Sequence, residues 1–334
     1  MNLISKNLLV TGGAGFIGSN FIQYMLGKYD DLRIVNLDAL TYAGNLDNLK
    51  SVESSDSYKF IHGDICDKDL VEEVFLKNQI DGVINFAAET HVDNSIVSPD
   101  VFIKTNVNGV FNLLNIAYRF WMEKPFSIKP QFNLARFHQI STDEIYGSID
   151  KGSFTEKSCY APNSPYSASK ASADMLVRSF NKTYGLNTTV SVSSNNFGIN
   201  QNQEKFIPTI IHSIIDNKPI PVYGDGKNIR DWIAVEDHCR AVDLVFNNSK
   251  SGEIYNIAGE NELTNLQIID KISAIVEQIS PSLSKKEIKT EFIKDRYGHD
   301  KRYSLSMDKL KNQLNWRNSE NFEDSLFRLV SSYI

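Results

Sequence analysis

Residues 7–18 read NLLVTGGAGFIG, and the fold predicted for this chain follows mainly from them. The first four are typical of a short strand, and they run directly into a loop that contains Gly12, Gly15 and Gly18. Apolar residues at helical spacing follow the loop. A strand, a glycine loop and a helix in this order are typical of a dinucleotide-binding unit, because glycines let the backbone approach a pyrophosphate at the helix N-terminus.

A carboxylate at the end of the second predicted strand makes this motif more specific. The strand covers residues 32–37 and ends at Asp38, twenty residues after Gly18. An acid in this place accepts hydrogen bonds from the adenosine ribose. Because Asp38 would repel a 2′-phosphate, and Ala39 and Leu40 follow it without an arginine, the sequence favours NAD over NADP.

Further strands and helices alternate along the chain. Strands are predicted at 58–62, 82–86, 136–140 and 188–194, and helices at 67–77, 105–119 and 166–184. This alternation predicts an α/β fold with a Rossmann-like, doubly wound parallel sheet over residues 1–196. After residue 196 the regular alternation stops. We expect residues 197–334 to form a smaller C-terminal α/β lobe that binds the substrate, and we allow some C-terminal segments to return to the first domain.

The composition is that of an ordinary globular chain, with 41% hydrophobic residues among 334 and a formal net charge of −6. An acidic chain argues against a nucleic-acid partner, because phosphate backbones require clustered lysine and arginine. Cys66, Cys159 and Cys239 form no CxxC pair, which favours reduced thiols in a cytoplasm. The six histidines are scattered and no stretch approaches a membrane span, so we expect neither a metal site nor a membrane partner.

Three consecutive polar side chains end the predicted strand at 136–140. They are Thr142, Asp143 and Glu144, within the stretch ISTDEIYG. The carboxyl end of a parallel strand is where ligands bind in an open sheet, so these residues are candidate catalytic groups. The alternative is a turn whose acids are merely solvated.

Tyr166 and Lys170 are the candidate acid/base pair. They are four residues apart at the start of a predicted helix and therefore share one face of it. We expect the ammonium to lower the pKa of the tyrosine and to reach a ribose hydroxyl. The same YxxxK spacing occurs at 24–28 and 297–301, but only Tyr166 and Lys170 begin a helix shortly after the strand that carries Thr142. The alternative is an exposed pair on a helix surface.

Other residues near predicted strand ends are candidates for cofactor contact. Asp64 and Ile65 follow a strand and could bracket the adenine, although Asp64 could equally cap a helix. Ala87 and Ala88 are small residues at a strand end where the cofactor must pass. His91 has no metal partner and is expected to make only local hydrogen bonds.

The second lobe contains candidate diphosphate ligands. Lys205 precedes an apolar helix, and the alternative for it is a solvated lysine. Arg230 follows a Gly-Asp-Gly turn and is expected to lie against Trp232, an arrangement suited to bidentate phosphate contact. A second basic cluster lies at 295–302. Two separate arginine sites in an acidic chain indicate a ligand with its own diphosphate.

These motifs together resemble the extended short-chain dehydrogenase/reductase family, and within it the dTDP-glucose 4,6-dehydratases. TGGAGFIGSN, LTYAGNLDNL, FAAETHVD, STDEIYG, APNSPYSASKASAD, SNNFG, GDGKNIRDW and YGHDKRY stand in that family's order over nearly the whole chain. The resemblance implies NAD contacts from Phe16, Ile17, Asp38, Asp64, Ile65, Thr105, Tyr166, Lys170 and Asn196. It implies substrate contacts from Thr90, Thr142, Asn195, Lys205, Arg230, Asn265, Arg296 and His299.

The chain departs from the family pattern at five positions. Asn94 replaces a typical arginine, Ile199, Gln203 and Tyr297 replace typical prolines, and Ala234 replaces a larger ring. These departures leave the choice between a thymidine and a uridine nucleotide open.

The expected activity is dehydration of a nucleoside-diphosphate glucose, with NAD reduced and then regenerated. Tyr166 would deprotonate the hydroxyl on carbon 4, Glu144 would remove the proton on carbon 5, and Asp143 would protonate the leaving hydroxyl on carbon 6. The alternatives are a UDP-glucose 4,6-dehydratase, a nucleotide-sugar 4-epimerase, which needs no such acids, and a NAD-occupied scaffold without turnover. The long helices predicted at 101–119 and 168–184 carry more apolar residues than one sheet face needs, so we also expect a homodimer.

Overall fold

The structure is a computed structural model that describes residues 5–284 and 288–334. Its strands are β1 (Asn7–Thr11), β2 (Arg33–Asp38), β3 (Tyr58–His62), β4 (Gly82–Asn85), β5 (Met122–Lys124), β6 (Ser127–Ile128), β7 (Arg136–Thr142), β8 (Thr188–Ser193), β9 (Asn195–Phe197), β10 (Ile220–Tyr223), β11 (Ile229–Ala234), β12 (Ile254–Ile257), β13 (Glu262–Thr264) and β14 (Thr290–Ile293). Its helices are α1 (Phe16–Lys28), α2 (Lys68–Asn78), α3 (Val92–Val97), α4 (Pro99–Phe102), α5 (Val110–Trp121), α6 (Pro165–Tyr184), α7 (Phe206–Ile215), α8 (Val235–Asn248), α9 (Asn265–Ile279), α10 (Pro281–Ser284), α11 (Asp308–Leu314) and α12 (Phe322–Ser331).

Seven parallel strands form the central sheet, in the order β12-β8-β7-β4-β1-β2-β3. The carboxyl ends of parallel strands lie along one edge, and the chain order reverses between β1 and β4. Ligands of open α/β sheets bind at such a reversal. The predicted doubly wound Rossmann-like sheet is confirmed.

The helix predicted at 105–119 differs from the one observed. It begins earlier, as α4, passes through the π-helical segment Ile103–Gly109 and continues as α5 to Trp121. Within the π segment the side chain of Asn106 donates to the carbonyl of Glu89 at 3.0 Å and accepts from its amide at 2.8 Å. A π segment has more residues per turn than an α-helix, so a search for α-helical periodicity of apolar residues does not detect it. Such segments are frequent at functional sites.

The C-terminal lobe has its own small sheets and core. One sheet pairs β10 with β14, and a second has the order β13-β11-β9. A hydrophobic core that includes Ile210, Ile268 and Leu326 joins α7, α9 and α12. Between these elements, α8 packs against α1 and β12 forms the edge of the central sheet, so residues 235–257 belong to the first unit.

Within the described ranges, no helix combines the length and the apolar character needed to cross a bilayer.

Candidate active site

A cleft at the carboxyl ends of the central strands brings most of the predicted site residues together. It has about 1770 Å³ of empty space, part of it open to solvent. Every residue predicted to contact the cofactor lines this cleft, as do Thr90, Thr142, Asn195 and Lys205 from the substrate prediction. The cofactor candidates along its wall are Gly12, Gly15, Phe16, Ile17, Gly18, Asp38, Asp64, Ile65, Ala87, Ala88, Thr105, Tyr166, Lys170 and Asn196.

The glycine loop brings backbone, and not side chains, to the wall of the cleft. Gly12 has a φ of +69°, and a Cβ there would lie 2.6 Å from the amide nitrogen of Ala87. Gly15 is the N-cap of α1 and provides no side-chain hydrogen bond to the first turn. The amides at the start of this helix are therefore available to a ligand, which suits a pyrophosphate group.

Two carboxylates further along the cleft are held by backbone amides. Asp38 accepts from the amides of Ala14 and Leu40, each at 2.8 Å, which fixes its carboxylate beside the glycine loop. Asp64 accepts from the amide of Cys66 at 2.9 Å. Asp64 does not cap the next helix, because Asp67 fills that role for α2.

The acids after β7 are not solvated turn residues. Asp143 is only 3% exposed, and its Oδ2 has no hydrogen-bond partner among the described residues. Burial, together with the charge of Glu144, raises the pKa of Asp143 well above its usual value. Burial also raises the pKa of Glu144 to about 7, although the positive charge of Arg230 opposes this. Both neighbouring carboxyls therefore retain a proton to a higher pH than free carboxylic acids do.

Tyr166 and Lys170 lie buried on α6, so the exposed-pair alternative does not hold. The ammonium of Lys170 donates to the carbonyl of Ile140 at 2.7 Å. The pKa of Tyr166 is raised, not lowered as predicted, because burial and the negative charge of Glu144 disfavour the phenolate, while the Thr142 hydroxyl acts in the opposite direction. The prediction treated the tyrosine and lysine as an isolated pair and omitted both effects.

The other two YxxxK pairs lie elsewhere. Tyr24 and Lys28 both hydrogen-bond the buried carboxylate of Asp243, which ties α1 to α8. Tyr297 is 73% exposed, and its hydroxyl accepts from Lys294 at 3.1 Å. Neither pair lines the cleft, in agreement with the prediction.

Four predicted substrate residues of the second lobe do not line the cleft; they are Arg230, Asn265, Arg296 and His299. Asn228 links two of them, because its carbonyl accepts from the amide of Asn265 at 3.2 Å and its side chain lies 3.4 Å from His299 Nδ1. Arg230 does not lie against Trp232 as predicted. Its guanidinium is 4.3 Å from the ring centre of Tyr303 and donates to the carbonyl of Asp300 at 2.9 Å.

Sequence reasoning missed the groups that surround Arg296. Its guanidinium lies 4.2 Å from the ring centre of Tyr223 and donates to Asp93 at 3.1 Å, while the Tyr223 hydroxyl also donates to Asp93. Residues so distant in the chain leave no local signal. The neighbouring His91 does what was predicted, since its Nδ1 caps α3 by accepting from the amide of Asn94 at 3.3 Å.

The remaining departures from the family pattern are spread around the site. Ile199 is partly exposed, and its carbonyl accepts from Asn20 at 2.9 Å. The carbonyl of Gln203 accepts from Thr209 at 3.1 Å near the start of α7. Ala234 is buried at the end of β11. No group of His, Cys, Asp or Glu side chains in the described part of the chain is arranged to hold a metal ion.

Comparisons with known proteins agree with this geometry. The family profile described as GDP-mannose 4,6 dehydratase matches residues 9–328. A dTDP-glucose 4,6-dehydratase of Neisseria gonorrhoeae is 45% identical over 335 residues, which cover 98% of this chain and 96% of that protein. DesIV of Streptomyces venezuelae, a dTDP-glucose 4,6-dehydratase solved with NAD and TYD bound, has a TM-score of 0.87 at 41% identity and covers 98% of this chain and 96% of its own.

A UDP-glucose 4-epimerase of Thermotoga maritima, solved with UDP-glucose, shares the fold at lower similarity. Its TM-score is 0.84 at 25% identity, over 98% of both chains. The family profile matches residues 9–328 and the dehydratase relative covers 98% of the chain, so both matches include the stretch with both acids. The chain therefore belongs to the GDP-mannose 4,6 dehydratase family and, within it, to the group of the dTDP-glucose 4,6-dehydratases of the extended short-chain dehydrogenase/reductases.

Proposed function

We propose that the protein is a NAD-dependent dehydratase that converts dTDP-glucose to the 4-keto-6-deoxy sugar nucleotide. The observation that carries the proposal is the pair of adjacent carboxyls, Asp143 and Glu144, in the same cleft as Tyr166 and the glycine loop. A 4-epimerase needs the tyrosine, Lys170 and NAD, but it has no elimination step for two acids to perform. The relatives named as dTDP-glucose 4,6-dehydratases support the same conclusion.

The cleft fits NAD at the positions that this structure shows. The free amides at the start of α1 suit a pyrophosphate, Gly12 leaves no room for a side chain, and Asp38 presents a fixed acceptor to a ribose. The negative charge of Asp38 favours NAD over NADP. Bound NAD would supply the hydride acceptor for carbon 4 and the hydride donor for carbon 6, while Glu144 would return its proton to carbon 5 to complete the product.

We assign the oxidation step to Tyr166, Lys170 and Thr142. Tyr166 accepts the proton of the carbon 4 hydroxyl, with Thr142 beside it. Because burial and Glu144 disfavour the phenolate, Tyr166 can act as a base near neutral pH only with positive charge close by. The buried ammonium of Lys170, one helical turn away, supplies part of that charge.

We assign the elimination step to the two carboxyls. A ketone at carbon 4 acidifies the proton on carbon 5, and Glu144, with a pKa raised to about 7, is partly ionised and can accept that proton at neutral pH. Burial and the charge of Glu144 raise the pKa of Asp143 well above its usual value, so Asp143 can hold a proton and donate it to the hydroxyl that leaves carbon 6. With Glu144 ionised and Asp143 protonated, the pair provides both a base and an acid.

The nucleotide would lie between the cleft and the second lobe. We propose that Lys205, Arg230 and Arg296 face the diphosphate and that Thr90, Asn195, Asn265 and His299 complete the substrate contacts. In support, the charges of all three cations act on Glu144. These residues therefore lie within electrostatic range of the proposed reaction centre.

A substrate panel tests this function. The enzyme with NAD is incubated with dTDP-, UDP-, CDP- and GDP-glucose, and products are identified by mass and by sugar stereochemistry. We expect a product that has lost one water, formed fastest from dTDP-glucose. Fastest turnover of UDP-glucose would reassign the nucleotide. An isomer of unchanged mass would indicate a 4-epimerase, and no turnover of any nucleotide would indicate a scaffold.

We also propose a homodimer. Phe111 on α5 and Met175 on α6 are 48% and 46% exposed, and Val97 on α3 is 82% exposed, so these helices present apolar side chains to solvent. Sedimentation should show a dimer at micromolar concentration. Phe111→Glu should give a monomer, whereas Leu76→Glu, at a comparably exposed site on α2, should not. A wild-type protein that sediments as a monomer contradicts the proposal.

We further infer a cytoplasmic location, which the three free cysteines support.

A further inference from the structure

A buried carboxyl group that the proposed mechanism does not use lies on α6, one helical turn after Lys170. Asp174 is on α6, four residues after Lys170, and is 1% exposed. Its Oδ2 accepts from the hydroxyl of Ser141 at 2.5 Å and from that of Tyr160 at 3.4 Å. Its Oδ1 has no hydrogen-bond partner among the described residues. A carboxyl in such a place is costly to bury, so its presence calls for a reason.

Asp174 and Lys170 bind consecutive residues of the same strand. Lys170 donates to the carbonyl of Ile140 at 2.7 Å, and Asp174 accepts from the next residue, Ser141. The residue after Ser141 is Thr142, where the catalytic stretch begins. Since Tyr166 lies one turn before Lys170, a single face of α6 carries the proposed base and both contacts to β7.

The charges in this cluster are coupled. Two ionisable groups lower the pKa of Asp174: Lys170 on the same helix and Tyr160 in the loop before α6. The charge of Asp174 in turn raises the pKa of Tyr146, which lies in the turn after β7. Burial raises the pKa of Asp174 to about 7 and lowers that of Lys170 to about 8. The negative charge of Asp174 stabilises the protonated form of Lys170, and the positive charge of Lys170 stabilises the Asp174 carboxylate. Removal of the carboxylate should therefore make Lys170 lose its proton at lower pH.

We propose that Asp174 is a positioning residue for the oxidation step: it holds Ser141 so that Thr142 lies beside Tyr166, and its negative charge keeps Lys170 protonated. This inference rests on the proposed function, because Tyr166 and Lys170 act in that step. A purely structural tie between α6 and β7 would not need the charge, since an amide oxygen accepts the same hydrogen bonds.

Two variants separate charge from packing. Asp174→Asn keeps an acceptor for Ser141 and removes the negative charge. Tyr160→Phe removes the longer hydrogen bond and leaves the charge, so it is the matched control. The titration of Lys170 is followed by NMR of protein with ¹³C-labelled lysine and bound NAD, and the Lys170 signal is identified by its loss in Lys170→Arg.

We expect the titration midpoint of Lys170 to fall by about one pH unit in Asp174→Asn and to stay unchanged in Tyr160→Phe. In stopped-flow experiments with dTDP-glucose, the alkaline limit of NADH formation should shift by the same amount. An unchanged midpoint in Asp174→Asn would overturn the proposal. The NMR titration needs no turnover, so its failure is distinct from failure of the proposed function, which the wild-type substrate panel decides.

Ser141→Ala tests the hydrogen bond, and it also carries the test if Asp174→Asn does not fold. This variant should slow NADH formation by about tenfold while the circular dichroism spectrum stays that of the wild type, because the strand end is held less firmly against α6. An unchanged rate of NADH formation in a folded Ser141→Ala variant would also overturn the proposal.

Discussion

Replacement of Glu144 by glutamine should separate oxidation of the sugar from elimination of water. The amide keeps the size of the side chain and can still form hydrogen bonds, but it cannot accept the proton on carbon 5. Tyr166, Lys170 and Thr142 remain in place. With substrate present, the variant should therefore accumulate NADH and the 4-keto sugar while formation of the deoxysugar product falls.

The size of the effect follows from the role and the pKa of the carboxyl group. Loss of a general base typically costs a factor of about 10² to 10⁴. Because the pKa of Glu144 is raised to about 7, roughly half of the side chains are ionised at pH 7 and roughly a tenth at pH 6. Exchange of the carbon 5 proton by the wild type should rise with pH as Glu144 ionises in the substrate complex and then level off. The variant should show low exchange without that rise.

Two measurements give the result. Absorbance of the reduced nicotinamide reports oxidation, and mass spectrometry of substrate and product after reaction in deuterated water reports exchange at carbon 5. Tyr166→Phe is the control, because it should block NADH formation itself. Full dehydration by Glu144→Gln would refute the assignment of the base. Persistent epimerisation at carbon 4 in variants lacking either acid would replace the dehydratase with an epimerase.

Three further outcomes follow from the structure. Asp143→Asn should also stall after oxidation yet keep carbon 5 exchange. Burial raises the pKa of Asp143, so ionisation of this carboxyl destabilises the folded wild type. The melting temperature of the variant should therefore exceed that of the wild type by a margin that grows as pH rises above about 4. Arg230→Ala should weaken substrate binding by about 1.5–3 kcal/mol in calorimetry with unchanged NAD affinity, and an equal loss of NAD affinity would contradict the two-site layout. Because the charge of Arg230 lowers the pKa of Glu144, the variant should also need a higher pH for exchange of the carbon 5 proton. His138 and His238 are buried, and burial lowers the pKa of each to about 3. Each should therefore lower the free energy of unfolding by up to about 1.4 kcal/mol per pH unit as pH falls from about 6.5. In thermal melts, His238→Leu should lose less of its melting temperature at acid pH than the wild type does.

The first half of the fold was predictable because its signals are local. A strand, a glycine loop and a helix are encoded within 22 residues at 7–28, and each later strand has its own apolar run. The return of α8 and β12 to the first unit has no such signal. The position of β12 beside β8 depends on packing against residues more than 60 positions earlier in the chain.

The site divides in the same way. Tyr166, Lys170 and the acids after β7 were predictable from spacing and from the rule that ligands meet strand ends. Asp174 follows Lys170 at the same four-residue interval, so the signal for it was present in the sequence. The stacking of Arg230 on Tyr303 was not predictable, because it joins residues over 70 positions apart. The raised pKa of Tyr166 was missed for a related reason, since burial is a property of the whole fold.

Burial raises the pKa of both neighbouring acids, and the second lobe places different charges near each of them. Arg230, Lys205 and Arg296 all lower the pKa of Glu144, whereas for Asp143 only Arg230 does so among the charges that act on it most strongly. The lobe proposed to hold the nucleotide therefore also opposes the rise that burial causes in the pKa of Glu144. A diphosphate that engages these cations would screen them from Glu144, and the pKa of its carboxylate would rise. Substrate binding would thus increase the basicity of the Glu144 carboxylate in the complex in which it accepts the carbon 5 proton.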